Sequence, residues 1–364
     1  MAGREKLEPS AVERVVILRA LHLGDLLCTV PAFRAWRAAF PNAEIALIGL
    51  PWAHSFVERF RAYLDRFIEF PGWPGLPERT PLIDQIPAWL ADLQREHFDL
   101  AIQMQGNGTV VNELVTLMGA RHTTGFYLPD VFYPSEEHFF IYPEHTSEVQ
   151  TYLHLVESLG LPVSSDELEF PLAEKDYVEF ASIKDAQLLN LTSYVCIHPG
   201  AQYLTRRWSP EQFAVVGDAL AARGFQIVLT GTKEEQAITN AVANAMHAPA
   251  LDVASDTTLG ALAVLLKGAS LVVSNDTGIS HMAAALAVPS IVVVLSSNVE
   301  RWAPQNRALH RVLYHPIACS PCNYRICPIG QVCVNSVTTE QVIAEANELL
   351  ALNESFIRLE SNDV

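Results

Sequence analysis

Short apolar runs alternate with amphipathic segments along most of the chain, beginning with VVILR at residues 15–19. Runs of this length, separated by polar or glycine-containing turns and by segments of helical periodicity, are typical of parallel strands covered by helices on both faces. Strands are predicted at 15–19, 44–49, 98–103, 193–197, 226–230, 271–274 and 290–295. Helices are predicted at 26–39, 51–63, 84–95, 109–119, 147–159, 209–222, 233–245, 258–267, 278–287 and 339–351. The alternation predicts an α/β protein.

A stretch rich in proline, serine and acidic residues, 161–180, divides these elements into two sets. Two α/β domains are therefore expected, with a cleft between them. In open parallel sheets, ligands bind beyond the carboxyl ends of the strands, so the residues that directly follow each strand are the candidates for function. The expected organisation is an N-terminal domain at 1–170, a linker at 171–190, a C-terminal domain at 191–336, and a final helix and tail at 337–364.

The first predicted strand is followed by HLGDLL, a turn that contains one glycine, Gly24, and a carboxylate, Asp25. A strand, a glycine turn and a helix in succession often place a phosphate on helical N–H groups. A carboxylate at this position would repel a phosphate. Asp25 is either the N-cap of the helix 26–39 or a functional carboxylate, whose ionised form the helix N-terminus favours.

The strand 193–197 is followed by HPGAQYLTRRW, in which Gly200 permits close approach of a ligand to the backbone. Arg206 and Arg207 come just before a predicted helix N-terminus, and arginine forks match phosphate oxygens. The alternative is a solvated arginine pair beside a tryptophan, Trp208, that packs in the core.

The strand 271–274 is followed by NDTGISH, a turn of small residues with free N–H groups and a threonine hydroxyl. Such a turn can wrap a diphosphate, with Gly278 and His281 at the start of the helix. The alternative is ordinary capping by Asp276 or Thr277, with His281 on the surface. Because this turn and the arginine-containing turn follow strands of the same predicted domain, together they favour an anion site.

The strand 226–230 is followed by GTKEEQ, which offers two carboxylates, Glu234 and Glu235. Either carboxylate could accept hydrogen bonds from ribose hydroxyls. Both could equally be solvated acids of a first helical turn, where the helix dipole favours negative charge. The residues alone leave these alternatives open.

The net charge of −17 disfavours nonspecific binding to nucleic acid or to anionic lipid. The opening residues, MAGREKLEPS, contain no apolar core of signal-peptide length, and the strongest apolar run, 290–295, is too short to span a bilayer. We therefore expect a cytoplasmic protein without a transmembrane segment and without a nucleic-acid partner.

Four of the six cysteines lie close together in the spacing C-x2-C-x4-C-x5-C, at Cys319, Cys322, Cys327 and Cys333. A zinc or iron–sulfur site is conceivable, but the spacing lacks two well-separated C-x2-C pairs. The preferred interpretation is a compact loop, 319–333, without a metal. Cys28 and Cys196 fall in a predicted helix and strand and are expected to be small buried apolar residues.

Four segments resemble the motifs of the ADP-heptose:lipopolysaccharide heptosyltransferases, glycosyltransferase family 9. They occur in the family's order: HLGDLLCTVPAFRAW at 22–36, HPGA at 198–201 with RRWSPEQF after it, GTKEEQ at 231–236, and SNDTGISHMAAAL at 274–286. The resemblance implies a GT-B architecture, in which two Rossmann-like domains with parallel sheets face each other across a cleft. It places the acceptor on the N-terminal domain and the nucleotide sugar on the C-terminal domain.

The resemblance implies an inverting, metal-independent transfer of a sugar, by default heptose from ADP-heptose, to a saccharide or lipopolysaccharide-core acceptor, with no cofactor. Asp25 is then the general base, Gly24 and Gln105 lie on the acceptor side, and Arg206 replaces a lysine of the family. A lipid-linked acceptor would entail transient contact with the inner membrane surface. The implied donor-binding residues are His198, Gly200, Arg206, Arg207, Glu234, Glu235, Asp276, Thr277, Gly278 and His281.

The chain contains no D-x-D pair of the kind that holds a metal in many glycosyltransferases. Arginines and helix N-termini would then stabilise the leaving diphosphate, and one carboxylate suffices for direct inversion. Two alternatives are a GT-B type nucleotide-sugar epimerase, which needs no acceptor, and a non-catalytic nucleotide-sugar-binding protein, in which loss of the turn aspartate is expected.

Overall fold

The computed structural model describes residues 8–135, 137–183, 188–190 and 193–360. The chain divides into two compact units, Met1–Glu167 and Leu168–Val364. Each unit contains one six-stranded sheet in which the paired strands run parallel, together with helices. The α/β fold class predicted from the alternation of apolar runs and helical segments is confirmed.

Unit 1 has the strand order β3-β2-β1-β4-β5-β6. Its strands are β1 (Arg14–Leu18), β2 (Glu44–Gly49), β3 (Arg66–Glu69), β4 (Leu100–Gln103), β5 (His122–Tyr127) and β6 (Phe139–Ile141). Its helices are α1 (Leu23–Leu27), α2 (Val30–Ala39), α3 (Ala53–Arg59), α4 (Ile86–Arg95), α5 (Val111–Leu117) and α6 (Glu148–Ser158). The apolar side chains of β1 are fully buried because the strand lies in the middle of the sheet.

The helix predicted at 26–39 is two helices, α1 and α2, and this corrects the expectation. Pro31 lies in the first turn of α2 and has no N–H, so it cannot donate to the carbonyl of Leu27 and continue the first helix. The first helix also begins earlier than expected, with His22 at its N-cap. The N-cap interpretation of Asp25 is therefore wrong, since Asp25 is the third residue of α1.

Unit 2 has the strand order β12-β11-β10-β7-β8-β9. Its strands are β7 (Tyr194–His198), β8 (Gln226–Leu229), β9 (Ala250–Asp252), β10 (Leu271–Asn275), β11 (Ser290–Val293) and β12 (His310–Leu313). Its helices are α7 (Glu174–Ala181), α8 (Pro210–Ala222), α9 (Gln236–Ala245), α10 (Leu259–Lys267), α11 (Gly278–Ala285), α12 (Val299–Trp302) and α13 (Thr339–Glu360).

The loop that leads into α8 of unit 2 is held by a helix cap and by a buried tryptophan. The Ser209 hydroxyl accepts a hydrogen bond from Gln212 N at the start of α8, 3.2 Å away. The Trp208 indole, fully buried just before this cap, donates to the carbonyl of Val337 near the start of α13. The loop between β7 and α8 is thereby anchored to the core. Within the described residues, no helix combines the length and the apolar character needed to cross a membrane.

The segment expected to be a linker, 171–190, contains the helix α7, which packs against α10 of unit 2. The hydroxyl of Thr258, at the N-cap of α10, donates to a carboxylate oxygen of Glu179 in α7. Residues 184–187 of the expected linker lie outside the described residues.

Candidate functional site

Asp25 lies on α1, in the first helix that follows β1, the central strand of unit 1. Its Oδ2 atom accepts a hydrogen bond from the backbone N–H of His22, 3.1 Å away. This hydrogen bond, from the N-cap residue to a side chain in the first turn, fixes the Asp25 carboxylate beside the N-terminus of α1. Asp25 is partly exposed, whereas the neighbouring Gly24 and Leu26 are buried.

The side chain of Arg19, which contacts the main chain of Asp25, is fully buried. Its Nη2 donates to the backbone carbonyl of Asp25 at 2.9 Å and to Glu148 Oε1 at 2.7 Å. Its Nη1 donates to the Tyr152 hydroxyl and to the carbonyl of Met104, each at 2.6 Å. A buried arginine requires such a set of acceptors to offset the loss of hydration. The network ties β1, β4, α1 and α6 together at the carboxyl edge of the sheet.

Burial raises the pKa of the Asp25 carboxyl above its ordinary value. The positive charge of Arg19 opposes this shift, and the negative charge of Glu148 adds to it. This direction is opposite to the shift expected from the helix N-terminus, which favours the ionised form. That Asp25 is a carboxylate at neutral pH stays a prediction. A carboxylate with a raised pKa is a stronger base than an ordinary aspartate, which suits proton abstraction from a hydroxyl.

Gln105, expected on the acceptor side, uses its side-chain amide to bind the backbone of Ala20. Ala20 N donates to Gln105 Oε1 at 2.7 Å, and Gln105 Nε2 donates back to Ala20 O at 3.4 Å. Gln105 therefore closes the gap between the ends of β1 and β4, and its amide is engaged with the protein. A contact with an acceptor stays a prediction.

A second carboxylate near Asp25, Glu78, was missed by the sequence analysis. Burial, together with the negative charge of Asp25, raises the pKa of Glu78. Its Oε2 atom is buried and has no hydrogen-bond partner among the described residues. Glu78 comes from the proline-rich segment 71–82, which carries no helix or strand pattern near Glu78, so only the fold could bring it to Asp25.

In unit 2, three of the expected donor-binding residues meet where β7 and β8 end. His198 Nδ1 lies 3.1 Å from the Thr230 hydroxyl, and His198 Nε2 lies 3.8 Å from Glu235 Oε2. Burial lowers the pKa of His198, and the Glu235 carboxylate opposes this shift. A Cβ atom on Gly200 would lie 2.1 Å from Glu235 Oε1, so Gly200 is needed for this close approach. Glu234, by contrast, is exposed.

The two arginines of the same loop differ in their contacts. Arg207 Nε donates to the backbone carbonyl of Ala201 at 2.7 Å, so this side chain supports the loop. The guanidinium of Arg206 stacks on Tyr203, 5.1 Å from the ring centroid, and its buried Nε has no hydrogen-bond partner among the described residues. Arg206 therefore has a buried donor that no described residue satisfies.

Asn275, at the end of β10, holds the two candidate anion-binding turns together and was also missed. Its Nδ2 donates to the carbonyl of Pro199 at 2.8 Å, and its Oδ1 accepts from Trp208 N at 3.0 Å. This buried amide would read as an ordinary strand-end residue in the sequence. It explains why the turns after β7 and β10 occupy fixed positions at one edge of the sheet.

The turn after β10 places Thr277 at the N-cap of α11, where its hydroxyl accepts from Ile279 N at 3.3 Å. Gly278 is the first residue of that helix, and Asp276 is buried beside it. His281 is also buried, at 5% exposure, so the interpretation of this histidine as a surface residue is wrong. Its ring packs edge-on against Trp302, with centroids 6.2 Å apart.

The four clustered cysteines are free thiols in the structure, as are Cys28 and Cys196, which are buried as expected. Burial raises the pKa of the Cys333 thiol, and the other three thiols of the cluster add to this shift. Among the described residues, no group of three or more His, Cys, Asp or Glu side chains is placed to hold a metal ion.

GT-B glycosyltransferases consist of two α/β units, each with a parallel sheet. In this chain, candidate ligand-binding turns lie at the carboxyl edge of each sheet. The chain belongs to glycosyltransferase family 9 (heptosyltransferase), whose model matches residues 88–333, more than half of the chain. The protein is therefore a glycosyltransferase, as the resemblance of its motifs implies. A comparison with curated protein sequences gives no significant match.

Solved structures of low sequence identity share the fold. A family 9 glycosyltransferase from Veillonella parvula has 21% identity and a TM-score of 0.73, over 93% of this chain and 97% of that chain. The E. coli ADP-heptose lipopolysaccharide heptosyltransferase II has 21% identity and a TM-score of 0.70, over 94% and 99%. The E. coli heptosyltransferase WaaC, solved with ADP, has 20% identity and a TM-score of 0.68, over 92% and 99%.

Proposed function

We propose that the protein is an inverting heptosyltransferase that transfers heptose from ADP-heptose to a lipopolysaccharide-core or other saccharide acceptor without a metal ion. The observation that carries the proposal is that unit 1 holds a candidate base and unit 2 holds a candidate anion site. Unit 1 places Asp25, a carboxylate of raised pKa, after its central strand. Unit 2 gathers Arg206 and the α11 N-terminus at one sheet edge, where a diphosphate would be stabilised as it leaves.

The proposed reaction needs one base and one anion site. Asp25 takes the proton of the acceptor hydroxyl as its oxygen attacks the anomeric carbon, and the bond from that carbon to the diphosphate oxygen breaks. The N–H groups of Thr277 and Gly278, with Arg206, receive the negative charge that develops on the diphosphate. Inversion follows because a single displacement occurs.

We assign the contact with the donor ribose to Glu235. Its carboxylate borders Gly200 and His198 at the sheet edge, whereas Glu234 is exposed beyond it. Glu235 Oε2 already accepts from Thr232 N at 2.9 Å, which holds the carboxylate in place. A ribose hydroxyl would add a second donor to the same group.

The donor assignment is supported by relatives of the same fold whose structures contain ADP and ADP-2-deoxy-2-fluoro heptose. The acceptor, the absence of a metal requirement, the cytoplasmic location and any contact with a membrane surface remain predictions from the sequence.

Release of ADP tests the proposal. Purified protein is incubated with ADP-heptose, with and without an inner-core oligosaccharide of lipopolysaccharide. We expect ADP release only when the oligosaccharide is present, together with formation of a heptosylated product. A change in the donor sugar without an acceptor would indicate an epimerase. Donor binding with neither product would indicate a non-catalytic binding protein, and either outcome would overturn the proposal.

A further inference from the structure

The Cys-rich segment Cys319–Gln331, called the strap below, is hydrogen-bonded to the segments that follow two non-adjacent strands. Cys322 N donates to the carbonyl of Ser296, beyond β11, at 2.8 Å. Leu204 N, beyond β7, donates to the carbonyl of Arg325 at 3.1 Å. Because β10 lies between β7 and β11 in the sheet, the strap bridges the edge at which the turn after β10 begins.

The strap brings a third arginine to the candidate anion site. The guanidinium carbon of Arg325 lies 5.4 Å from the centroid of the Tyr203 ring, and that of Arg206 lies 5.1 Å from the same centroid. The distance between the two guanidinium carbons is therefore no greater than the sum of these two distances. With hydrogen bonds of about 2.8 Å on each side, one diphosphate can contact both guanidinium groups.

No carboxylate among the described residues lies within ion-pair distance of Arg206 or Arg325, and neither guanidinium donates a hydrogen bond to another described side chain or carbonyl. Arg325 is exposed and Arg206 is partly exposed, so both side chains are accessible to a ligand. Two neighbouring guanidinium groups repel each other, and a bound dianion removes that repulsion.

Buried hydroxyls at the same sheet edge also lack partners. Ser296 and Ser297 follow β11 and are 2% and 6% exposed, and neither hydroxyl forms a hydrogen bond with the described residues. Buried donors of this kind are normally satisfied, by the protein, by ordered water or by a ligand. They lie beside the strap residue Cys322 and next to the strand end that leads into the Thr277 turn.

We propose that Arg325 is a donor-binding residue and that it grips the diphosphate of the nucleotide sugar together with Arg206. The inference rests on the proposed function and adds to it a residue outside the motifs of the sequence. It also gives the strap a role, because the strap positions a cation across the turn after β10.

The test compares Arg325→Ala and Arg325→Lys with Arg223→Ala. Arg223 is a matched control, since it also stacks on an aromatic ring, Phe225, at 5.5 Å, but bonds to Asn347 instead of lying at the candidate site. Calorimetry with ADP should show a loss of about tenfold in affinity for Arg325→Ala, a smaller loss for Arg325→Lys, and none for Arg223→Ala. Affinity for adenosine, which has no phosphate, should be the same in all variants.

The salt dependence of ADP binding provides a second readout, because removal of one phosphate-binding cation should flatten it. If Arg325→Ala binds ADP as Arg223→Ala does, or loses adenosine affinity equally, Arg325 does not bind the diphosphate. That result, with ADP affinity still lost in Arg206→Ala, defeats this inference alone. Absence of ADP binding by the wild-type protein defeats the proposed function as well.

Discussion

Arg19 holds Asp25 by its main chain, with Nη2 2.9 Å from the Asp25 carbonyl oxygen, and not by a salt bridge to its carboxylate. The guanidinium is neutralised mainly by Glu148, 2.7 Å away. This arrangement fixes the position of Asp25 without using its carboxylate as the counter-ion. The side chain thus remains available as a base while the buried charge of Arg19 keeps its pKa from rising further.

Replacement of Asp25 by asparagine should abolish most of the turnover. Asp25→Asn keeps the size of the side chain and an oxygen for His22 N but removes the base, so turnover should fall by roughly a hundredfold to ten-thousandfold. ADP binding should persist, since the candidate anion turns belong to unit 2. Steady-state kinetics and calorimetry measure both, with exposed Asp84→Asn as the matched control. Near-normal turnover of Asp25→Asn would show that the base lies elsewhere.

The raised pKa of Asp25 predicts how stability depends on pH. A carboxyl whose pKa is higher in the folded than in the unfolded protein favours folding below the unfolded pKa, and this contribution is lost as the pH rises through the folded pKa. Asp25→Asn should therefore be at least as stable as the wild type at pH 7, with the advantage vanishing at acid pH. Urea unfolding of the variant and of the wild type, at pH 7 and at acid pH, tests this. A clear loss of stability at pH 7 would contradict the direction of the shift.

The buried pair of Arg19 and Glu148 should matter far more than an exposed pair. Glu148→Gln leaves the charge of Arg19 buried without its carboxylate, which should cost about 3–5 kcal/mol of the free energy of unfolding. Asp92→Asn breaks an exposed pair with Arg95 and should change little. Denaturant unfolding of the two variants gives the comparison. Equal small losses would mean that the buried network does not stabilise unit 1.

The two neighbouring arginines of unit 2 should contribute unequally to donor binding. Arg206→Ala should weaken ADP binding by about tenfold to a hundredfold, the range of a charged hydrogen bond to phosphate. Arg207→Ala should have a smaller effect, because Arg207 donates to Ala201 within its own loop. Dissociation constants from calorimetry decide the order. Equal or reversed effects would reject the assignment of Arg206 as the phosphate ligand.

Binding of ADP should survive chelation of metals. The candidate anion site consists of arginines and helical N–H groups, which need no divalent ion to hold a diphosphate. The affinity for ADP measured in EDTA should match that measured with added magnesium or manganese. An affinity that vanishes in EDTA and returns with either metal would mean that a metal-free site does not bind the donor.

The strands nearest the centre of each sheet could be predicted from the sequence, whereas the edge strands, and β5 inside the sheet of unit 1, could not. The predicted strands of unit 1 correspond to β1, β2 and β4, which are adjacent in the middle of the sheet. In unit 2 the edge strands β9 and β12 were missed. Central strands are apolar on both faces and read as continuous runs, whereas edge strands such as β9 are half-solvated and short, so their pattern resembles a loop.

The candidate site divides in the same way. Candidate residues such as Asp25 and Arg206 could be proposed from the sequence because they lie in the turns that follow predicted strands. Glu148 and Arg325 could not, because the roles proposed for them depend on contacts between distant parts of the chain. Glu148 lies on an ordinary amphipathic helix, and its role comes from its hydrogen-bonded ion pair with Arg19, 129 positions earlier. No local pattern encodes that pairing.

The long separation of Arg19 from Glu148 and Tyr152 has a consequence for the order of folding. Contacts between residues so far apart in sequence form late, because a long loop must close before they are made. During synthesis, β1 and α1 emerge first, yet the guanidinium beneath Asp25 has no counter-ion until α6 has been made and has docked on α2. The proposed base should therefore acquire its native environment only when the first unit is complete, so catalytic competence would report the last step in its assembly.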